Sequence, residues 1–190
     1  MNIVLRKTLR KALSRLAAVV FSTSALLATG QANAHDGPHA PGVTHNNRMD
    51  KPVAWRFTLA TLEADRFVHS SDFAGPVLVN FWSRDCPPCI AELPRLQAFA
   101  NTNKNWTVLL IATDSARDAK SFLDDRGVTL TSLRAGTDSR ALMRAAGNPS
   151  GALPYSRAQM ANSACFAKLG ELSESDFDKI PDSCGQQPTR

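Results

Sequence analysis

The chain has 190 residues, 43% hydrophobic and 21% charged, which is room for one domain and a short extension. Its 22 Lys and Arg against 17 Asp and Glu give a formal charge of +5, a balance that raises nucleic acid or an anionic surface as a partner. The distribution removes that reading. Arg6, Lys7, Arg10, Lys11 and Arg15 fall within residues 1–34, which contain no acid, and the remainder carries 17 basic and 17 acidic residues. No nucleic-acid partner is expected.

Residues 1–34 read as a secretory leader. A basic segment precedes an apolar run from Leu16 to Ala28, broken by Ser22, Thr23 and Ser24. Gln31-Ala32-Asn33-Ala34 then offers small residues at the −3 and −1 positions of a cleavage site. The run is shorter than the roughly twenty residues a membrane span needs. The expectation is export to a bacterial periplasm with cleavage after Ala34; an uncleaved anchor is the alternative. That compartment permits disulfides.

Residues 35–52 are rich in Gly, Pro, His and Asn and read as a flexible tail. His35, Asp36, His39 and His45 form either a loose copper or zinc cluster or a solvated linker. Residues 53–184 form the folded domain, and 185–190 a C-terminal tail. Short strands are predicted at roughly 55–60 and 66–69, with a helical turn over Ser70-Ser71-Asp72-Phe73. Gly75-Pro76 punctuates before the central stretch.

Val77 to Trp82 is an apolar, β-branched and aromatic run, the mark of a buried strand. Ser83-Arg84-Asp85 leads into Cys86-Pro87-Pro88-Cys89, and the two prolines suit a helix's first turn. Ile90, Leu93, Leu96 and Phe99 continue at helical spacing to about Asn101. A thiolate at a helix N-terminus faces unsatisfied N–H groups and the positive end of the macrodipole, so its pKa falls. Cys86 is therefore the attacking thiol. Cys89, one turn in and more buried, resolves the mixed disulfide. A zinc knuckle is disfavoured, because Cys165 and Cys184 are far apart in sequence and no histidine follows His69.

Trp106 to Thr113 reads as a second buried strand, and Ser115 caps a helix through Arg126 with Gly127 as its stop. Thr129 to Leu133 is a short strand, and Asp138 opens a helix through Ala146, ended by Gly147. Pro154 precedes a hairpin of strands Tyr155–Ala161 and Ala164–Leu169 turning at Asn162-Ser163. Ser173 with Asp176 caps a last helix to about Ile180, ended by Pro181. Alternating elements of these lengths predict an α/β fold of βαβ units with the sheet covered on both faces. Cys165 and Cys184 pair as a structural disulfide, or one of them exchanges with Cys86–Cys89.

The W-x-x-x-C-P-P-C and Glu92-Leu93-Pro94 block, the lead-in Phe57-Thr58-Leu59 to Phe73-Ala74-Gly75, Leu153-Pro154 and Leu169-Gly170 together resemble the thioredoxin-like thiol-disulfide oxidoreductases of the TlpA/ResA type. The resemblance covers residues 53–180. It implies a thioredoxin fold, a central mixed β-sheet flanked by helices, with an N-terminal β-hairpin extension. It also implies reduction of disulfides in exported proteins such as apocytochrome c, re-reduction by a membrane thiol electron donor, and no bound cofactor. A monomer is the expected form. By the same resemblance Pro154 is the cis-proline beside the dithiol, with Pro149 as runner-up. Glu92 is the proton acceptor for Cys89, its alternative being an exposed surface residue, and Trp82 shields the site or simply packs the core. Departures are Asn80, where thioredoxin has a buried Asp, Asp85 in place of Trp, and Leu153 in place of Thr. Asp85 opposes a Cys86 thiolate while Arg84 favours it, and Pro87 withdraws an N–H, a balance that leans towards a reductant. The competing function is a metal-handling protein using the dithiol and the N-terminal histidines. A peroxidase is disfavoured, because the pattern Pro-x-x-x-Thr-x-x-Cys is absent.

Overall fold

The computed structural model describes residues 54–161 and 163–185. The leader, its cleavage site and the histidine cluster lie outside the described residues, as does Asn162 at the hairpin turn. The first elements are strands β1 (Thr58–Ala60) and β2 (Phe67–His69), paired antiparallel, and a 3-10 turn at Ser70–Asp72. They match the predicted N-terminal hairpin.

Strand β3 (Val77–Trp82) is buried at all six positions, so both of its faces must be covered. Strand β4 (Thr107–Ala112) runs parallel to it from Val77↔Thr107 to Trp82↔Ala112, and β5 (Thr131–Arg134) lies parallel beyond β4. On its other side β3 pairs antiparallel with β6 (Tyr155–Met160), which pairs with β7 (Ser163–Leu169). The order is β5-β4-β3-β6-β7, a mixed sheet. Leu78 and Trp82 join one apolar cluster with Cys89, Leu93 and Leu96 of helix α1 (Pro87–Thr102). Ala119 and Leu123 of α2 (Ala116–Asp124) and Ile180 of α4 (Glu174–Ser183) pack into the same cluster. Val77, Val79 and Phe81 face the opposite cluster, with Leu59, Val68 and Met143 of α3 (Ser139–Ala145).

The helix starts follow the capping side chains. Ser115 accepts from the Asp118 N–H at 3.2 Å, Asp138 from the Ala141 N–H at 2.9 Å, and Asp176 reaches back to the Ser173 N–H at 2.8 Å. Gly147 is required where it stands. Its φ is 96°, and a Cβ there would lie 3.0 Å from the Tyr155 hydroxyl and 3.1 Å from Arg157.

Strand β6 is polar yet central, and each of its polar side chains has a partner. Arg157 donates to the Ala146 carbonyl at 2.8 Å, while Gln159 accepts from the Trp55 N–H and donates to the Trp55 carbonyl, both at 2.9 Å. Those bonds compensate the cost of burying them.

Several expected boundaries move: β1 starts at Thr58 and α2 ends at Asp124, short of the expected 55 and Arg126, and two further shifts have a visible cause. Strand β5 begins at Thr131, not Thr129, because Gln97 Oε1 takes both the Thr129 N–H (2.9 Å) and its hydroxyl (3.1 Å) away from the ladder. Helix α4 continues past Pro181 to Ser183. A proline so near the end withdraws only one bond, and Cys184 N–H still closes the last turn on Ile180 (3.3 Å) and Pro181 (3.2 Å). Cys184 is also tied covalently to Cys165, with Cα atoms 5.1 Å apart.

That disulfide joins α4 to the sheet and closes a loop across 19 positions. In a Cys165→Ala/Cys184→Ala double variant, guanidinium unfolding with Cys86–Cys89 kept oxidised should show about 3 kcal/mol less stability, the loop-closure entropy returned to the unfolded chain.

Candidate active site

Strand β3 delivers the chain to Trp82 at one end of the sheet, and the turn beyond is held from β4. Asp114, just past β4, accepts from the Ser83 hydroxyl at 3.0 Å and the Arg84 N–H at 2.8 Å. The Cys86 N–H donates to the Ser83 carbonyl at 3.2 Å. Cys86 then caps α1: its Sγ accepts from the Cys89 N–H at 3.3 Å. With Pro87 and Pro88 at the first helical positions lacking N–H groups, this is the first-turn backbone donor that meets the sulfur. Cys86 is part-exposed, Cys89 is fully buried, and the two are joined as a disulfide with Cα atoms 5.3 Å apart. The exposure order is the one the attacking and resolving assignments require.

The second wall comes from β6. Tyr155 pairs with Phe81, so the preceding Leu153-Pro154 lies at the same end of the sheet as the Ser83–Cys86 turn. The Leu153–Pro154 peptide is cis and Pro154 is buried, whereas Pro149 is exposed and not cis. Asn148 builds the loop that leads there. Its Oδ1 accepts from Ser150 (2.7 Å) and the Gly151 N–H (3.1 Å), and its Nδ2 donates to the Ala152 carbonyl (2.9 Å). On the far side the Gly170 N–H donates to the Pro154 carbonyl at 2.8 Å.

Glu92, one turn beyond Cys89 on the same helix, is not a surface residue: its exposure is 0%. Its Oε1 accepts from Asn80 Nδ2 at 2.5 Å and its Oε2 from the Leu172 N–H at 2.9 Å. Burial pushes its pKa above the ordinary 4.5, against these two donors, which lower it. Trp82 is fully buried in the same cluster as Cys89 and packs against Phe122 with ring centroids 5.6 Å apart, so it packs the core. Arg84 is shared between Asp118 (3.6 Å) and Asp85 (3.9 Å), all three well exposed, so solvent screens the charges beside Cys86. Cys165 neighbours Phe166, which pairs with Ala158 and through it Leu78. That level is four residues, about 13 Å, down the strand from Trp82, too far for direct exchange with Cys86–Cys89. Among the described residues no group of three or more His, Cys, Asp and Glu could hold a metal, and no helix is long and apolar enough to cross a membrane.

Sequence reasoning missed Asp114, Asn148, the Leu172 N–H and Ser156, whose Oγ accepts from Asn80 Nδ2 at 3.0 Å. All four act across long sequence separations or through a loop, and only the Asp114 carboxylate just past a buried strand offered a signal.

Residues 52–149 match the AhpC/TSA family. The chain belongs to it. No curated protein sequence matches the chain. Among solved structures, a DsbF homologue from Corynebacterium diphtheriae is 25% identical, with 76% of this chain and 96% of that one covered and a TM-score of 0.59. A thiol:disulfide interchange protein of the thioredoxin family from Chlorobium tepidum is 24% identical over 70% and 94%, with a TM-score of 0.59. A secreted Mycobacterium tuberculosis disulfide oxidoreductase homologous to E. coli DsbE is 21% identical over 67% and 92%, with a TM-score of 0.52. The fold of this AhpC/TSA member is the thioredoxin fold. Family, fold and a dithiol closed at a helix N-terminus make it a thiol-disulfide oxidoreductase.

Glu92 also leaves a signature in stability. Because its folded-state pKa is raised, its contribution is full below the unfolded value near 4.5 and is lost as pH rises through the folded value. Denaturant unfolding from pH 4 to pH 8 should therefore show wild type losing stability relative to Glu92→Gln as pH rises. A constant difference across that range would mean the carboxyl titrates normally.

Proposed function

We propose that this protein is a periplasmic disulfide reductase of the TlpA/ResA type, acting on exported proteins such as apocytochrome c. The observation that carries the reading is the part-exposed Cys86 capping α1 above a buried Cys89, with a buried carboxylate one turn further on. In the reduced enzyme Cys86 attacks a partner disulfide, and the freed partner sulfur leaves as thiolate. Cys89 gives its proton to Glu92, attacks Cys86, and releases the partner's second sulfur. The partner gains two electrons and the Cys86–Cys89 disulfide forms. A membrane thiol donor restores the dithiol, and Pro154 presents the partner's backbone beside Cys86. No bound cofactor takes part.

Two features support the reductive direction and two the compartment. Asp85 stands next to Cys86, and Pro87 and Pro88 remove two N–H groups from the helix end, so the Cys86 thiolate has little stabilisation. A weakly stabilised thiolate favours the disulfide form and makes the dithiol a donor of electrons. The leader over residues 1–34, cleaved after Ala34, supports export, and one similar structure is that of a secreted protein.

Equilibration with dithiothreitol should give a reduction potential of about −270 mV or lower, and a value near −120 mV would mark an oxidant instead. Cys89→Ser should accumulate mixed disulfides through Cys86, and Cys86→Ser should abolish insulin reduction. Activity surviving in Cys86→Ser would overturn the assignment of the nucleophile.

A further inference from the structure

Strand β3 is apolar at every position except Asn80, whose exposure is 0%. An amide in the middle of a central strand costs free energy unless it is bonded. Its Nδ2 donates to Glu92 Oε1 at 2.5 Å and to Ser156 Oγ at 3.0 Å, and Ser156 is its register partner on β6. Its Oδ1 has no hydrogen-bond partner among the described residues. Such an orphaned buried acceptor needs a reason.

The reason lies in the chemistry of the amide. A carboxylate accepts only, and a carboxylic acid also donates; an amide carries a donor and an acceptor two bonds apart. With Glu92 ionised, Nδ2 faces the carboxylate as observed. With Glu92 protonated, a half-turn of the amide brings Oδ1 to accept from the new O–H. Ser156 serves both states, since its hydroxyl rotates from accepting to donating. An aspartate at position 80 could do neither without competing for the proton. We propose that Asn80, supported by Ser156, is a positioning residue that keeps Glu92 hydrogen-bonded in both protonation states while it takes the proton of Cys89.

This rests on the proposed role of Glu92 and adds to it. When the Cys86–partner mixed disulfide resolves, the Cys89 S–H bond breaks and its proton moves to Glu92. The Cys89 thiolate then bonds to Cys86 Sγ, and the partner sulfur departs with the electron pair of the broken S–S bond. The groups around Glu92 leave this exchange to Asn80. From α1 the titratable or charged neighbours are Cys89 and Arg95; from the β7–α4 loop it is Glu171, which together with Glu174 at 3.9 Å pairs Arg95. β3 and β6 present only the neutral Asn80 and Ser156. The second carboxylate oxygen is pinned by Leu172, whose carbonyl is in turn held by Arg95 at 2.8 Å.

The test is the rate at which the reduced full-length protein reduces oxidised glutathione between pH 5 and 9. Wild type should show, besides the ionisation of the attacking Cys86, a second inflection that Glu92→Gln abolishes. Asn80→Ala should move it to higher pH and lower the rate at pH 7 by about tenfold, the weight of one charge-assisted hydrogen bond. Asn80→Asp should move it further in the same direction, because two adjacent carboxyls share a proton. An Asn80→Ala rate depressed equally at all pH values would reduce Asn80 to a packing role and overturn the inference. Should Asn80→Ala fail to fold, Ser156→Ala carries the test: a smaller shift to higher pH supports it, and an unmoved inflection overturns it. A profile with both inflections unchanged in Glu92→Gln instead sinks the Glu92 reading itself, an outcome distinct from the failure of Asn80 alone.

Discussion

The constraint on which the site depends is that β3 is covered on both faces and paired on both edges. A strand so placed has one register, because a slip of one residue would turn Leu78 and Trp82 away from α1 and carry Val79 and Phe81 into their place. Its end point at Trp82 is thereby fixed, and with it the start of α1. The parallel neighbour ends at Ala112 and puts Asp114 against the Ser83–Arg84 turn; the antiparallel neighbour begins at Tyr155 and puts Pro154 there. Three chain segments meet at the dithiol because of one strand's burial.

The same burial sets the electrostatics. Placing Glu92 under α1 removes it from water, which is costly for a carboxylate, and the fold answers with one donor from β3 and one from the β7–α4 loop. Those contacts cross 12 and 80 positions of sequence, so the carboxyl also fastens the C-terminal segment to the catalytic helix. Arg95 holds the carbonyl of the residue whose N–H Glu92 holds, and the Cys165–Cys184 disulfide secures the far end of α4. The electrostatic and covalent ties lie at opposite ends of one helix, which divides the work: the first sits beside the reacting sulfurs, and the second is remote from them.

Much of this architecture is legible in the residue pattern, because its signals are local. The apolar run at β3, the prolines after Cys86 and the side chains at Ser115, Asp138 and Ser173 each act within a few residues of the boundary they define. The cysteines were identifiable for the same reason. What escaped depends on distant partners. Thr129 leaves its strand because Gln97, 32 positions earlier, takes its hydrogen bonds, and α4 runs through Pro181 because the last turn closes behind it. Glu92 could be placed one turn from Cys89 from spacing alone. Its burial could not, since that requires Asn80 and Leu172 to be known as neighbours.

The dithiol's own environment completes the argument about direction. Helix N-termini activate thiols through their free N–H groups, and two prolines at the start of α1 leave the Cys89 N–H as the backbone donor at Cys86 Sγ. Arg84 does not restore the balance, because Asp85 and Asp118 both draw on it and all three are well exposed. In the proposed reductase the reduced form gains little from ionising Cys86, and the equilibrium leans to the disulfide. A buried carboxyl near Cys89 then matters more than it would in an oxidant. In that proposed direction, the release of electrons to a partner turns on how readily the second thiol passes its proton to Glu92.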